Sequence, residues 1–569
     1  MEFSAITHIG DKRYCFAISK DHFVIRIKTK KDDMKKIILH YQDKYLPLKI
    51  KDSRRAVPMK KVCSDHFCDY YEVEIAFSVV CLRYYFELID QAGNTMYYGN
   101  HQFFDRPITT IGYMYDCPQN LREEEIISVP EWASNAVVYQ IFPTRFATTE
   151  SIPEDEWYQT PIDACANLKG NLRGIINKLE YLHDLGVDIL YLTPIFRSDS
   201  SHKYDTYDYY LIDPSLGTKE DLKELVEKAH ALSMKVMLDG VFNHTSQKFF
   251  AFADIVQNEA NSKYLDWYFV EEFPLMREWG QKPNFKCFAY FGGMPKLNLK
   301  NPEVEQYFIE VGRYWIKECD IDGWRLDVAD EISHRFWKKF RTAVKEEKAD
   351  ALIVGEIWHY AADFLEGDEW DSVMNYDFMN AVLELVVRDS ITVSRFIENL
   401  GFLRGNLHPK TYQVLWNHLD THDTCRFLNQ AKNAKSKQKI AASLQLLFAG
   451  APMVYYGDEC AIGGAFDPDC RRGMLWDPNR KDEKMLSHYK RLIEIRRAYP
   501  ELLTIHLCDY KTDDEKALIT LETKDVIAIW HCAKKKQEIS LYKGYMDLVS
   551  GKKFDGTLGA YQTVVLRKR

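Results

Sequence analysis

The chain has 569 residues, 46% of them hydrophobic, so a disordered protein is excluded and roughly three or four folded domains are expected. Lysine and arginine number 75 against 84 aspartate and glutamate, and the net charge of −9 argues against a protein that binds nucleic-acid phosphates. Aromatic residues make up 14%, a content compatible with rings that stack on flat ligands such as sugars.

Residues 1–122 are predicted to form an N-terminal β-sandwich. Apolar and polar residues alternate with a period of two in three segments, 23–28, 71–77 and 82–88. The third segment ends at the turn signal 90–94, and no helical pattern lies between the strands. Residues 118–130 are polar and acidic and are interpreted as a linker. These features are typical of a sandwich of antiparallel sheets.

Residues 123–500 are predicted to form a (β/α)₈ TIM barrel, an α/β fold. The predicted strands are 137–142, 187–192, 235–238, 321–326, 352–355, 372–375, 413–419 and 453–456. The predicted helices are 175–185, 222–232, 307–317 and 336–344. Eight strands separated by helices indicate a closed parallel barrel, whose active site lies at the carboxyl ends of the strands.

Two further parts complete the predicted architecture. The connection after the third barrel strand, at about 244–302, is far longer than usual and predicts an inserted domain. Residues 501–569 return to strand patterns, at 517–521, 526–530 and 563–566, and predict a C-terminal β-sandwich.

The sequence favours a cytoplasmic protein without a membrane span. No basic segment followed by an apolar one opens the chain, so no signal peptide is predicted. The longest nearly apolar stretch, 441–456, is shorter than the roughly 18 residues of a membrane span. The 13 cysteines are odd in number and scattered, which favours free thiols in a reducing compartment. Cys63 and Cys68 bracket His66 without a second ligand pair nearby, which disfavours a metal site there.

Four predicted strand ends carry charged side chains. They are Asp239 to His244 after the third strand, Arg325 to Asp327 at the fourth, Glu356 at the fifth, and Asp420 to Asp423 at the seventh. Residues i and i+2 of a strand face the same side, so Arg325 and Asp327 are both expected to point into the mouth of the barrel, at the carboxyl ends of its strands. Grouped acids raise one another's pKa, which lets one carboxyl stay protonated while another is a nucleophile. Glycoside hydrolysis needs one protonated and one ionised carboxyl. A single acid at one strand end would more often cap a helix.

These segments resemble the signature segments of the α-amylase family, glycoside hydrolase family 13. In chain order they are Asp239-x-x-x-Asn243-His244, Gly323-Trp-Arg-Leu-Asp-Val-Ala329, Gly355-Glu-Ile-Trp358 and His422-Asp-Thr424, and the resemblance spans 136–500. Met294-Pro-Lys-Leu-Asn298 and the segment 330–337 are similar to the neopullulanase, cyclomaltodextrinase and maltogenic amylase subgroup. The N-terminal β-sandwich is similar to the starch-binding-like module of that subgroup.

The resemblance implies a catalytic role for three carboxylates. Asp327 would be the nucleophile, Glu356 the general acid and then the base, and Asp423 a group that stabilises the distorted, cationic sugar. Arg325 would hold Asp327 ionised. Anomeric configuration would be retained, with the two reacting carboxyls about 5 Å apart.

The resemblance also implies a set of substrate-binding residues. They are Tyr204, His244, Arg325, Trp358, His422, Asp467 and Arg471. Tyr204 would stack on the sugar being cleaved, the alternative being a ring packed on the rim. Trp358 would line the acceptor side, the alternative being a core residue. For Asp467 and Arg471 the alternative is a surface salt bridge.

The sequence departs from the subgroup in two places. No metal is needed for the chemistry, and 145–151 has few oxygen ligands where relatives often bind calcium, which disfavours a structural calcium ion. Asp330 stands where asparagine is usual, and we expect it to alter the balance of hydrolysis against sugar transfer. Asp239 and Asn243 are expected to shape the end of the third strand rather than to do chemistry.

The function predicted is retaining hydrolysis of α-1,4 bonds in cyclomaltodextrins, pullulan and maltooligosaccharides. The alternative within the family is mainly transglycosylation or α-1,6 cleavage. A catalytically inactive sugar-binding or scaffold protein is disfavoured because the carboxylates and Arg325 remain. A metal hydrolase is disfavoured because His244 and His422 lie on different strand ends. Subgroup resemblance suggests a homodimer in which one sandwich covers the partner's barrel mouth.

Overall fold

The structure, a computed structural model, describes residues 1–568 except 48–53, 77–78, 120, 164–165, 279 and 281. Its strands form two antiparallel N-terminal sheets, a closed parallel barrel, and a C-terminal antiparallel sheet with a separate strand pair. The predicted (β/α)₈ barrel with flanking β-domains is therefore confirmed. No helix in the described part of the chain is long and apolar enough to span a bilayer.

The N-terminal domain is a sandwich of two sheets. Its strands are β1 Cys15–Ser19, β2 His22–Lys30, β3 Met34–Asp43, β4 Arg55–Pro58, β5 Lys60–Ser64, β6 Cys68–Ala76, β7 Cys81–Asp90, β8 Thr95–Gly99, β9 Gln102–Phe104 and β10 Tyr115–Pro118. One sheet has the order β1-β2-β6-β5 and the other β4-β3-β7-β8-β9, with β10 beside β7. Alternate side chains such as Ile25 and Ile27 of β2 and Phe86 of β7 fill the space between them. Phe77, the end of one predicted strand, lies outside the described residues.

The expectation of free thiols was wrong for one pair. Cys15 of β1 and Cys117 of β10 form a disulfide across 102 residues of sequence. Spacing alone cannot reveal such a pairing, because strands distant in sequence are brought together only by the fold. The other ten described cysteines are free.

Eight parallel strands close the barrel. They are β11 Val138–Ile141, β12 Ile189–Leu192, β15 Lys235–Gly240, β16 Gly323–Leu326, β17 Leu352–Gly355, β18 Ser372–Asn375, β19 Trp416–His418 and β20 Ala451–Tyr455, while β13 Phe196–Arg197 and β14 Asp208–Ile212 form a hairpin outside it. Each strand pairs with the next, and β11 pairs with β20 through Val138 and Met453. Almost every strand residue is buried, since helices cover the outside and side chains fill the inside.

Fourteen α-helices are present among the described residues. They are α1 Pro143–Phe146, α2 Glu154–Trp157, α3 Leu172–Ile176, α4 Leu179–Leu185, α5 Lys219–Ala231, α6 Phe250–Asn258, α7 Pro302–Cys319, α8 His334–Glu347, α9 Tyr376–Val382, α10 Val393–Asn406, α11 Pro409–Tyr412, α12 Phe427–Gln430, α13 Lys435–Leu447 and α14 Glu483–Ala498. Helix α7 begins at Pro302, where the preceding Asn301 side chain accepts from the backbone of Glu303. Gly312 lets α7 approach α8, because a Cβ there would lie 2.3 Å from the Phe340 ring.

Two of the differences between the predicted and the observed elements have a local cause. The helix predicted at 175–185 is two helices, because Asn177 caps α3 through bonds to the carbonyls of Arg173 and Ile175. The strand predicted at 413–419 is the shorter β19, because the turn that ends α11 continues to Val414, whose N–H donates to the Thr411 carbonyl. Both differences arise from local backbone bonding that apolar periodicity does not encode.

The long connection between β15 and α7 forms the predicted insertion. It contains α6, and its last segment returns to the barrel through bridges that pair His244 with Lys296 and Tyr268 with Leu297. This return brings 294–298 against the end of the third barrel strand. The insertion therefore forms one wall of the barrel mouth.

The C-terminal domain packs its sheet on the barrel helices. Its strands are β21 Tyr510–Asp513, β22 Leu518–Glu522, β23 Val526–His531, β24 Gln537–Glu538, β25 Met546–Asp547, β26 Lys552–Lys553, β27 Thr557–Leu558 and β28 Gln562–Arg567. Trp530 and Val565 belong to the same apolar core as the barrel, and Phe448 stacks on Tyr510 at 4.7 Å between ring centroids. The C-terminal domain thus shares the core of the barrel and lies away from its mouth.

Candidate active site

A cavity of about 510 Å³ opens at the carboxyl ends of the barrel strands. Its lining residues are His202, Tyr204, His244, Phe288, Met294, Asp327, Val328, Asp330, Glu331, Glu356, Trp358, Asp423, Asp467 and Arg471. Eight of the ten predicted site residues are among them. The other two, Arg325 and His422, are fully buried and contact the lining carboxylates from below.

Arg325 is the centre of the cavity floor. Its Nη1 donates to both carboxylate oxygens of Asp239 at 2.9 Å and to Oδ1 of Asp327 at 3.0 Å. Its Nη2 lies 2.8 Å from Oε2 of Glu356, as an ion pair rather than an aligned hydrogen bond. The guanidinium is wholly shielded from solvent, so its charge acts on these carboxyls with little screening.

One guanidinium does not neutralise three carboxylates. Burial raises the pKa of Asp327 well above its ordinary value; Arg325 lowers it, and the nearby Glu356 raises it further. Burial likewise raises the pKa of Asp239 to about 6, against the opposing effects of Arg325 and of the Tyr191 hydroxyl. The cluster can therefore hold and release protons near neutral pH.

Glu356 is held by donors on both oxygens. Its Oε2 accepts from the backbone N–H of Val328 at 3.0 Å and faces Arg325. Its Oε1 accepts from Nε1 of Trp358 at 3.1 Å. Because a positive charge and an N–H both face Oε2, a proton on this carboxyl is more stable on Oε1.

A hydrogen-bonded layer supports the floor. The Tyr204 hydroxyl donates to Oδ2 of Asp239 at 2.9 Å and lies 2.6 Å from Nε2 of His422. Nε2 of Gln140 donates to the other ring nitrogen of His422 at 2.8 Å, which leaves the histidine proton on Nε2. The rings of Tyr204 and His422 are stacked at 5.4 Å between centroids. Tyr204 is thus held in place by hydrogen bonds and ring stacking, and it lines the cavity.

Asp423 belongs to a second charged group at the opposite side of the floor. Its Oδ2 lies 3.2 Å from Nε2 of His422, and its Oδ1 accepts from Nη2 of Arg471 at 3.2 Å. Nη1 of Arg471 lies 2.7 Å from Oδ1 of Asp467. Arg471 is buried and lines the cavity together with Asp467, so the pair is part of the cavity wall and not an isolated surface salt bridge.

The insertion contributes an apolar wall that the sequence reasoning missed. Phe288 lines the cavity and stacks on His244 at 5.1 Å between ring centroids. Burial lowers the pKa of His244 to about 3, and its Nε2 is buried without a hydrogen-bond partner among the described residues. A neutral, unpaired ring nitrogen at a cavity is suited to a ligand hydroxyl. Phe288 precedes the Met294 segment by six residues, which is the one sequence signal that pointed to this loop.

Trp358 and Asp330 form the rim beyond Glu356. Trp358 is 52% exposed and stacks on the buried Tyr376 at 4.2 Å between ring centroids, so it is not a core residue. Burial raises the pKa of Asp330, whose Oδ2 lies 3.8 Å from Nε2 of His359. Both side chains line the cavity together with Glu356.

In the part of the chain that the structure describes, no group of three or more histidine, cysteine, aspartate or glutamate side chains is arranged to hold a metal ion. This includes Cys63, His66 and Cys68.

Comparison with known proteins adds independent observations. A family model for the alpha amylase catalytic domain matches residues 140–488, and one for the alpha amylase N-terminal ig-like domain matches residues 1–119. A cyclomaltodextrinase of Thermoanaerobacter pseudethanolicus is 41% identical over 507 residues, covering 88% of this chain and 86% of that protein. An intracellular maltogenic amylase of Bacillus subtilis is 36% identical, covering 95% and 93%. A solved cyclomaltodextrinase structure superposes with a TM-score of 0.90 at 33% identity, covering 100% of this chain and 98% of the other.

Proposed function

The chain belongs to the α-amylase family of glycoside hydrolases, and we propose that it hydrolyses α-1,4-glucosidic bonds of cyclomaltodextrins, pullulan and maltooligosaccharides with retention of configuration. The observation that carries this proposal is the contact of one buried guanidinium, that of Arg325, with the carboxyls of Asp327 and Glu356. Retaining hydrolysis needs one carboxylate ionised and one carboxyl protonated at the same bond.

In the first step Asp327 attacks the anomeric carbon of the sugar. Arg325 holds Oδ1, so attack falls to Oδ2, which forms an ester bond to that carbon. The bond from this carbon to the glycosidic oxygen breaks, and the oxygen takes its electron pair together with the proton from Oε1 of Glu356. The leaving chain departs with a hydroxyl group, and Glu356 is left ionised beside Arg325.

In the second step Glu356 accepts a proton from water, whose oxygen attacks the same carbon. The ester bond breaks and Asp327 regains its electron pair, so two inversions give net retention. The charged Asp423 and Arg471 and the neutral His422 form a polar wall suited to the hydroxyls of the distorted sugar in both steps. A second sugar in place of water gives transfer instead of hydrolysis. Asp330 lies at the rim where that acceptor would bind and influences the balance of hydrolysis against transfer.

The proposed substrate class rests on the segment that forms one wall of the cavity. The segment 294–298, which resembles the subgroup marker, returns against the third strand and carries Met294 into the cavity. The names of two similar proteins, cyclomaltodextrinase and maltogenic amylase, support small or cyclic α-1,4-glucans as substrates for this chain.

We also propose that the protein acts inside the cell as a homodimer, with the N-terminal sandwich of one protomer over the partner's cavity. The first part is supported by the name of the intracellular maltogenic amylase relative, and the second by subgroup resemblance alone. A monomer in light scattering at working concentration would contradict the dimer.

The test is chromatography of the products from β-cyclodextrin, pullulan and soluble starch, with Asp327→Asn beside the wild type. We expect ring opening to maltose and glucose, panose from pullulan, slow attack on starch and an inactive variant. Fast starch hydrolysis with cyclodextrin untouched would contradict the substrate class while keeping the family.

A further inference from the structure

We propose that the acceptor side of the cavity continues past Trp358 onto an exposed aromatic surface, and that this surface binds the reducing-end portion of maltooligosaccharides. We call it the acceptor platform and define it as Trp358, Tyr360 and Phe402. The inference rests on the proposed function, because it assigns sugars to one side of that catalytic centre.

Trp358 connects the platform to the catalytic centre. Its Nε1 donates to Oε1 of Glu356, the oxygen from which the leaving chain takes its proton. The leaving chain must therefore pass over the Trp358 side of Glu356, which identifies this as the acceptor side. Trp358 lines the catalytic cavity and also a smaller neighbouring cavity of about 20 Å³, which Tyr360 lines as well. Tyr360 therefore lies beside Trp358, next to the acceptor side of the cavity.

Tyr360 and Phe402 extend the surface beyond the rim. Tyr360 is 39% exposed and Phe402, on helix α10, is 44% exposed, and their ring centroids lie 5.6 Å apart. Together with Trp358, which is 52% exposed, they give three large aromatic side chains that are partly in solvent. Exposed rings grouped next to a binding cavity favour a ligand with flat apolar faces, such as the faces of glucose units.

The N-terminal domain supplies polar groups at the far end of the platform. Burial raises the pKa of Tyr360, and the charge of the Arg13 guanidinium lowers it. Nη2 of Arg13 donates to Oδ2 of Asp11 at 2.8 Å. The amine of Lys12 donates to the Glu366 carbonyl at 3.4 Å, which holds this segment against the barrel loop. Ionic side chains bind the hydroxyl edges of a sugar and aromatic rings bind its apolar faces, so this segment complements the platform chemically.

The position of cleavage in a chain labelled at its reducing end tests the proposal. We would digest reducing-end-labelled maltoheptaose with the wild type and with Tyr360→Ala, Phe402→Ala and the double variant. Phe250→Ala is the matched control, because Phe250 is 43% exposed on α6 of the insertion. Tyr360→Phe, which keeps the ring, is expected to behave like the wild type.

Without the platform fewer sugars bind on the acceptor side, so cleavage moves toward the reducing end. The double variant should give labelled fragments at least one glucose shorter on average. Its kcat/KM for maltoheptaose should fall by about tenfold, the effect of removing aromatic contacts from a binding surface. The kcat/KM for maltotriose should not change, since so short a chain does not reach Phe402. If Phe402→Ala does not fold, Phe402→Leu keeps the apolar contact and removes the ring, and is interpreted in the same way.

An unchanged fragment pattern in folded variants would overturn the platform and leave the proposed function intact. A shift that Phe250→Ala reproduces would also overturn it, because the effect would then be general. A wild-type enzyme that does not cleave maltoheptaose would instead overturn the proposed function, and the platform with it.

Discussion

Two buried clusters in this molecule differ in their ratio of arginine to carboxylate: one has an excess of arginine and the other an excess of carboxylate. Where the N-terminal domain meets the barrel, Arg26 and Arg404 both contact Glu72, at 2.6 Å and 2.7 Å. At the cavity floor a single arginine, Arg325, contacts Asp239, Asp327 and Glu356 at 2.8–3.0 Å. We call the first the junction cluster and the second the floor cluster.

The proportions decide what the carboxyls can do. Burial alone would raise the pKa of Glu72, but Arg404 and Arg26 outweigh it and lower the pKa to about 2. At the floor the single guanidinium does not outweigh burial, and the pKa values of Asp239 and Asp327 are raised. An excess of arginine gives a permanently charged structural link, whereas a deficit gives carboxyls that exchange protons.

The sharpest contrast comes from removing one carboxylate from each cluster. Asp327→Asn should lower kcat by about 10,000-fold or more, because an amide cannot form the covalent ester. Its thermal unfolding should be unchanged or slightly higher, since a buried charge is removed. Glu72→Gln is the control, with kcat per folded molecule expected to be normal. Steady-state kinetics of both variants at saturating substrate would separate the clusters, and a normal kcat in Asp327→Asn would contradict the contrast.

Removing the guanidinium of Arg325 should change the pH dependence of kcat/KM. Arg325 lowers the pKa of Asp327, so in Arg325→Met that pKa rises further and the ionised nucleophile is lost at higher pH. The acidic limb of the kcat/KM profile should move up by about one pH unit or more. Arg404→Met in the junction cluster should not move that limb. An Arg325→Met profile with the wild-type acidic limb would mean that the floor arginine does not control the nucleophile.

Loss of the junction carboxylate should be a stability effect. Glu72→Gln leaves two buried arginines without their partner and should lower the free energy of unfolding by about 3–5 kcal/mol. The folded-state pKa of Glu72, about 2, lies below its ordinary value of 4.5. Its stabilisation is therefore complete above pH 4.5 and lost as the pH falls toward 2.

Denaturant unfolding at pH 7 and at lower pH would measure the contribution of Glu72 to the free energy of unfolding. Because the protein has several domains, the first unfolding transition is the one to compare. The wild type should lose more stability on acidification than Glu72→Gln does. Equal acid sensitivity of the two proteins would contradict a structural role for the junction cluster.

The smallest effect is expected at Asp330, which adds a carboxylate to the rim of the floor cluster. Asp330→Asn removes that charge at nearly constant shape, so the ratio of transfer to hydrolysis should change by about two- to fivefold, which corresponds to no more than about 1 kcal/mol. Product ratios from concentrated maltotriose would measure it. Asp368→Asn is the control, since Asp368 pairs with Lys338 at 2.8 Å outside the cavity lining. An unchanged ratio of transfer to hydrolysis in Asp330→Asn would mean that Asp330 does not influence acceptor binding and that other rim residues do.

The floor cluster could be predicted from sequence because barrel geometry assigns it. Strand ends converge on one mouth, and the two-residue period of a strand puts Arg325 and Asp327 on the same side. The contact of Arg325 with Asp327 at 3.0 Å agrees with that argument. The roles of these residues in the reaction stay predictions.

The rest of the site was not predictable because it depends on irregular backbone and on long-range contacts. Phe288 precedes Ala289 and Tyr290, which adopt left-handed conformations with φ of 48° and 62°, so no periodic pattern marks its position. The junction cluster joins Glu72 to an arginine 332 residues away, a distance at which neither spacing nor propensity carries information. Exposure of Trp358 likewise depends on its stack with Tyr376, the first residue of α9.

Covalent trapping tests the central claim, that Asp327 of the floor cluster is the nucleophile. The enzyme would be treated with a fluorinated maltosyl fluoride that forms the ester quickly and hydrolyses it slowly, and the labelled peptide would be identified by mass spectrometry. We predict a single maltosyl adduct on Asp327. An adduct on Glu356 or Asp423, or rapid turnover with inversion and no adduct, would contradict the account.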